Sequence, residues 1–372
     1  MAKDSRSMKR FDVSDGDVRS SETLLFESVT ITGSVVSGTY SGENIKNYTH
    51  GMFQSVFNYP HASASANHLY DLTLGYSTRS SLHGSSNADN QTNKVNMYNE
   101  MAQILVGFDA TGSVQAFDND GDIVAGGAKT EDAIFLNFAR LQSKDGIKKG
   151  SFNLELGVSA SDSGYTSPFG SRITIKDANG TSSFLSNSPS GEYGILYASN
   201  SSGTPLDGYT TSTAAPCGLL YYQAGVAMLS SSLFETTGSG GLMSASVLLD
   251  SGSFTGRTAT QTLVSSSISG AADAFNRRIY NLTFNNTTEL YSTLYVCTLK
   301  GPEFNYSSNP TYIDSKSRIR VKGDDSSNNP KTFITTIGLY SEDDALLAVA
   351  KLSEPIEKDP DKDHVIKVRL DY

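Results

Sequence analysis

Asp118-Asn119-Asp120-Gly121-Asp122 sets oxygen-bearing side chains at alternate positions. A calcium loop begins this way, because a hard cation takes several oxygens converging from one tight turn. The rest of such a loop needs Gly at its sixth position and a bidentate Glu at its twelfth. Here those places hold Ile123 and Lys129, so the expectation is an Asp/Asn/Gly hairpin turn rather than a metal site. The histidines His50, His61, His68 and His83 share the N-terminal region and His364 stands apart, but no two have the i,i+4 spacing of a helical metal site. No Gly-Lys-Ser/Thr phosphate loop and no Gly-X-Ser-X-Gly elbow is present. Neither nucleotide hydrolysis nor the common serine-esterase route has a motif to stand on.

Asp162-Ser163-Gly164 and Asp250-Ser251-Gly252 look like the Asp-Ser/Thr-Gly pairs with which aspartic proteases make two carboxylates share a proton. The second follows the apolar Val247-Leu248-Leu249, but the first follows Ser159-Ala160-Ser161, where that family has apolar residues. In a chain this rich in Ser and Gly the tripeptide arises easily. A glycosidase-type carboxylate pair is set by the fold and leaves no mark in the sequence. We therefore expect no catalytic, metal-binding or cofactor-binding residue, and no enzyme.

The elements that would position any site are mostly strands. With 372 residues, Gly 33, no Trp and 18% charged residues, the composition favours a β-rich protein with many turns. Apolar runs of strand length occur at 24–40, 70–76, 133–141 and 151–158, and again at 172–176, 192–198 and 217–229. Asn93 as cap, Met97, Met101, Ile104 and Leu105 as an apolar stripe and Gly107 as stop predict one helix near 94–106. Residues 271–278 suggest a second, short helix. Tyr280, Leu282 and Phe284, a turn at Asn285-Asn286, then Leu290, Leu294 and Val296 suggest a hairpin.

The last forty residues hold three apolar runs separated by the acidic Ser341–Asp344 and a polar turn at 358–363, which predicts an antiparallel β-meander. In the last run Ile366, Val368 and Leu370 fall on one face and Lys367, Arg369 and Asp371 on the other. In the first, Phe333, Ile337 and Leu339 oppose Ile334 and Tyr340, so both faces are partly apolar. Three strands cannot cover two such faces themselves; upstream chain or another subunit must.

The expected fold is thus mainly β. It has antiparallel β-sandwich-like domains, a C-terminal β-meander, few short helices and extended arms. The expected divisions are an N-terminal arm at 1–24, a β-rich domain with the helix at 25–160, a central β domain at 161–300 with an extended insertion near 230–269, and the meander at 301–372.

The net charge is −10 and Lys and Arg are nowhere concentrated, which disfavours direct nucleic-acid binding. The polar, charged first residues lack an apolar signal segment, and no apolar run is long enough to span a bilayer. Without an export signal, Cys217 and Cys297 are expected as two thiols, and the sequons at Asn47 and Asn281 carry little weight.

The stretch TFITTIGLYSEDDALLAVAKLSEPIEKD from Thr332 resembles the C-terminal segment of virion structural proteins of large contractile-tailed bacteriophages. Blocks from Leu294 (LYVCTLKGPEFNYSSNPTY), Asn93 (NKVNMYNEMAQILVGFD) and Ala133 (AIFLNFARLQSKDGIKKGSFNLELG) resemble the same group. The resemblance carries over no functional residue. It implies a non-enzymatic structural protein of the tail, baseplate or neck, assembled in the host cytoplasm into the virion. Such a protein would act by oligomeric assembly with itself and other virion proteins, away from any membrane. The alternative is a receptor-recognition protein binding host-surface glycan through Tyr and Asn in loops, and a particle-bound hydrolase is a distant third.

Overall fold

A computed structural model describes residues 18–31, 42–119, 129–142, 145–158, 171–200, 216–236, 241–242, 258–307, 309–319, 329, 331–341 and 343–371. Its strands are β1 (Val18–Ile31), β2 (Ile45–Asn47), β3 (Gln54–Phe57), β4 (His68–Tyr76), β5 (Phe117–Asp118), β6 (Lys129–Thr130), β7 (Asp132–Asn137), β8 (Gly146–Ile147), β9 (Asn153–Gly157), β10 (Arg172–Lys176), β11 (Leu185–Ser188), β12 (Gly191–Asn200), β13 (Pro216–Tyr221), β14 (Val226–Ser230), β15 (Ile279–Leu299), β16 (Thr332–Tyr340), β17 (Leu346–Lys358) and β18 (His364–Asp371). The helices are α1 (Gln91–Leu105), α2 (Ala259–Ser265) and α3 (Ile268–Asn276), none of them long and apolar enough to cross a membrane. The fold is mainly β and its sheets are antiparallel, as the composition predicts. The chain divides into two compact units, Leu25–Thr288 and Met1–Leu24 with Glu289–Tyr372.

In the larger unit one sheet runs from the first residues of β15 through β9, β10, β12, β13, β14, β7, β4 and β3 to β2. Its central strands are apolar on both faces. Ile134, Leu136, Leu220, Ala227 and Leu229 belong to one core cluster, while the alternate residues Phe135, Leu219, Tyr221, Val226 and Met228 belong to another. A sheet with two apolar faces needs cover on both, and helices supply it. Leu263, Ala271 and Phe275 of α2 and α3 join the first cluster, and Tyr98, Ala102 and Leu105 of α1 join the second. At Gly75 of β4 a Cβ would meet the Lys94 carbonyl and sit 2.7 Å from the Tyr98 backbone nitrogen, so α1 approaches the strand only because no side chain is there.

Helix starts follow local chemistry. Thr258 and Gln261 form a capping box on α2, and the Ser267 hydroxyl accepts the Gly270 N–H at the start of α3. In α1 the expected cap is displaced: Asn90, left-handed at φ 51°, is the cap, and Asn93 lies in the first turn. Gly107, at φ +92°, follows the helix end as expected. Met97 of the stripe is buried, but Ile104 is exposed.

Three expectations are corrected. Asn285-Asn286 is not a turn, because β15 continues through it; Lys148 N–H bonds Asn285 O, Asn286 pairs with Ile147 of β8, and its side chain donates to Leu141 O. The C-terminal meander does not form as such: β16 and β17 are a separate two-stranded hairpin, and β18 pairs instead with residues 292–299 of β15. The ends of the supposed insertion near 230–269 are folded. Leu233 and Phe234 are buried, Phe234 meets Phe275 edge-on at 4.8 Å, and α2 lies in the core, while 237–240 and 243–257 lie outside the described residues. The expected division at residue 160 falls between β9 and β10, which pair in register from Arg172↔Gly157 to Lys176↔Asn153.

Candidate functional site

Of the sequence-level carboxylate motifs, Asp162-Ser163-Gly164, Asp250-Ser251-Gly252 and Asp120-Gly121-Asp122 lie outside the described residues. Asp118 is buried on β5, cross-strand from Lys129 on β6, whose ammonium stands 3.2 Å from its carboxylate. Lys129, one of the two residues that spoil the calcium loop, is therefore an ion-pair partner of the residue that starts it. Among the described residues no three His, Cys, Asp or Glu side chains gather as metal ligands.

Two polar groups of catalytic type do come together. On β3 and β4 the Ser55 hydroxyl donates to Asp71 at 2.5 Å, and His68 Nε2 lies 2.7 Å from the same oxygen. Burial pushes the Asp71 carboxyl up, but the bonds from His68 and Ser55 outweigh it and hold the group below its ordinary range. Nucleophile activation requires the imidazole between hydroxyl and carboxylate. Here the carboxylate is in the middle, so the trio clips two strands together and sets no imidazole against the Ser55 hydroxyl.

The second group centres on Asp177, fully buried after β10. Its carboxylate accepts the N–H groups of Gly150 (2.6 Å) and Phe152 (3.0 Å) and the Tyr222 hydroxyl (3.2 Å). Burial raises its pKa to about 6 despite those bonds. Both oxygens are occupied by the fold itself, which makes Asp177 a tie between loops.

Two buried lysines were not legible in the sequence. Lys94 of α1 donates to the carbonyls of Asp89 (2.7 Å), Leu263 (2.5 Å), Val264 (3.2 Å) and Ser266 (2.6 Å). It caps the carboxyl end of α2, where cations are favoured. Lys358, the last residue of β17, donates to Gly301 O (2.7 Å), Asp359 O (2.8 Å) and Asn305 Oδ1 (3.3 Å). Together with the buried Thr332, whose hydroxyl donates to Phe304 O at 3.1 Å, it fixes the base of the β16–β17 hairpin.

Above that base the hairpin has no core. From Phe333 to Tyr340 and from Leu346 to Glu357 no residue is buried. Exposure reaches 53% at Tyr340 and Leu346, 52% at Val349 and 67% at Leu347. The register places Ile337 opposite Ala350 and Leu339 opposite Ala348 on one face, all half-buried. On the other face Thr336 opposes Lys351, Gly338 opposes Val349 and Tyr340 opposes Leu346. At Gly338 a Cβ would lie 2.8 Å from the Tyr340 ring and 3.3 Å from Leu346, so these side chains lie flat over the glycine and form an open apolar plate. A two-stranded hairpin is marginal in water even without exposed apolar residues.

On β18 the predicted alternation holds where it is described, with Ile366 and Val368 buried and Lys367 and Arg369 exposed. Cys217 is buried and Cys297 half-buried, and no disulfide joins them. Comparison of the chain with protein-family models, with curated proteins and with solved structures finds no match.

Proposed function

We propose that this chain is a non-enzymatic structural component of a contractile-tailed phage virion, in the tail, baseplate or neck. It works by oligomeric assembly with copies of itself and with neighbouring virion proteins, after synthesis in the host cytoplasm. The phage assignment is supported by the resemblance of the C-terminal segment and of three upstream blocks. The assembly role is supported by one observation: the β16–β17 hairpin is anchored at its base and uncovered on its apolar plate. A face of this kind is completed by another chain.

The test is sedimentation velocity of the full chain together with hydrogen exchange of the hairpin amides. Assembly predicts fast exchange above the base in dilute protein, slow exchange once the chain associates or joins a particle, and loss of association in Val349→Asp. A chain that stays monomeric while its hairpin amides exchange slowly would refute the reading, since the hairpin would then need no neighbour.

The glycan-recognition alternative has one structural observation in its favour, an accessible aromatic cluster at the β2–β3 turn. Tyr48 stacks on His50 at 5.2 Å with the planes 8° apart, and Phe53 packs within 5.0 Å of both. Stacking on sugar is what such rings can offer. Retention on a glycan array that disappears in Tyr48→Ala would favour it, and no retention would remove it.

A further inference from the structure

The uncovered plate has a charge at each end. Beside it on the same face stands Lys351, exposed, at the level of Thr336. At the other end is the hairpin tip, closed by hydrogen bonds between Ser341 and Ala345 and from Asp344 N–H to Ser341 O, with Asp343 exposed on it. From the Tyr340–Leu346 pair beside the tip to the Thr336–Lys351 pair is four ladder steps, about 14 Å of strand, because the register shift leaves one extra residue on β17. The point midway between Lys351 and the tip falls between the Gly338–Val349 and Tyr340–Leu346 pairs, where the plate is flat because glycine contributes no side chain.

A surface with a flat apolar middle, a cation at one end and an anion at the other complements itself when turned through 180°. We propose that this face of the hairpin docks on the same face of a second copy about a two-fold axis between the Gly338–Val349 and Tyr340–Leu346 pairs. Lys351 of each copy then meets Asp343 of the other. The geometry is isologous, so each contact occurs twice and the association closes on itself. Other ways of covering the plate fit less well. Stacking in the same direction would set Lys351 against Lys351 and tip against tip, and the opposite face of the hairpin, with Ala348 and Ala350 on it, is already half-buried. The plate is small, about 150 Å² per copy from strand length and spacing, against roughly 800 Å² per partner in a stable complex. The two-fold contact is therefore weak in isolation, with dissociation in the micromolar range or above, and contributes as one contact of a larger assembly.

This inference rests on the assembly reading, and the experiment separates the two. The full chain is sedimented over a wide concentration range as wild type, Lys351→Glu, Asp343→Lys, the double variant Lys351→Glu/Asp343→Lys, and Val349→Asp, with melting curves to confirm that each is folded. Each single charge reversal turns two attractions into two repulsions and weakens self-association about tenfold. The double variant returns to within about twofold of wild type, because swapped charges meet again across the axis. If the single reversals have no effect, or if the double variant is no better than they are while Val349→Asp still dissociates the chain, the two-fold register is wrong and assembly through the hairpin stands. If wild type is still monomeric at millimolar concentration, the second copy is wrong. Fast or slow exchange of the hairpin amides in that monomer then decides whether another virion protein covers the plate or the assembly reading also fails.

Discussion

Replacing Lys94 by Met keeps the length of the side chain and removes its charge and its donors. The Val264 carbonyl keeps the Asp89 N–H at 2.9 Å, while the carbonyls of Asp89, Leu263 and Ser266 lose the ammonium. At about 1.5 kcal/mol for each buried carbonyl left without its donor, the loss is ~4–5 kcal/mol. Against it stands the relief of a desolvated charge. Burial, opposed by Asp89, lowers the Lys94 pKa from 10.5 to about 8, a cost to the ionised form of ~3 kcal/mol. The net expectation at pH 7 is a destabilisation of ~2 kcal/mol, or roughly 4–8 °C in melting temperature for a unit of this size. The pH dependence is more specific than the midpoint. Between pH 8 and 10.5 the unfolded chain holds the proton that the folded chain releases, so this group adds stability to wild type as pH rises. The addition is complete above the unfolded value and is lost as pH falls through the folded one. The gap between wild type and Lys94→Met should therefore widen by ~2.5 kcal/mol from pH 7 to pH 10. Urea unfolding of both proteins across that range measures it. A gap that narrows with pH would show that the carbonyls hold the ammonium above its ordinary pKa rather than below it, and a variant as stable as wild type at every pH would show that Lys94 does not tie α1 to α2.

Asp177 makes the opposite prediction. Its folded pKa of about 6 lies above the carboxylate's ordinary 3.8, so its stabilising contribution is complete below 3.8 and lost as pH rises through 6. Wild type should gain ~2 kcal/mol over Asp177→Asn between pH 7 and pH 4.5, and parallel stability profiles for the two proteins would count against a buried carboxylate held by Gly150, Phe152 and Tyr222. Gly75→Ala forces α1 away from β4, because the new methyl meets helix backbone rather than a side chain that can turn aside. A loss of about 1–3 kcal/mol with faster amide exchange in α1 is expected, and an unchanged melting temperature would show that the helix is not so tightly seated.

Local patterns carried the elements far better than they carried the partners. The run Arg172–Lys176 is a strand to the residue, the alternation of Ile366 and Val368 against Lys367 and Arg369 gave the buried side of β18, and the Gly-flanked aromatic run after Cys217 is β13 and β14, strand as expected rather than helix. These depend on residues within a few positions of one another. The misreadings involve partners far away in the chain. Asn285-Asn286 has turn chemistry, and only its pairing with the two-residue β8 keeps it extended. The last strand follows β17 closely, yet its ladder from Ser292↔Asp371 to Leu299↔His364 lies with β15. Lys94 in an amphipathic helix reads as a solvent-facing residue; its partners are mostly backbone carbonyls near residue 265, atoms that every residue has and that therefore leave no trace in a sequence. The candidate surface was partly legible, since two-sided apolarity at Phe333–Tyr340 is a local pattern, whereas the depth of exposure and the flat seat over Gly338 depend on register.

The two buried lysines show why a chain of this kind can hold one surface open. Lys358 fixes the hairpin through a carbonyl and a side-chain oxygen from 301–305 and the carbonyl of Asp359, so the position of the base does not depend on the apolar residues above it. A hairpin held only by its own apolar plate would have to bury that plate within the chain, and none would remain for a neighbour. Fixing the base with a charge in an oxygen cage separates the two requirements: polar bonds set where the hairpin starts, and Tyr340, Leu346 and Val349 stay exposed. Removing the cage should therefore affect association more than it affects the rest of the fold. In Lys358→Met the larger unit, Leu25–Thr288, should melt as in wild type, while the hairpin amides lose protection and self-association weakens even though no plate residue has changed. Equal association of Lys358→Met and wild type would mean that the plate finds its partner without a fixed base, and this account of the lysine would fail.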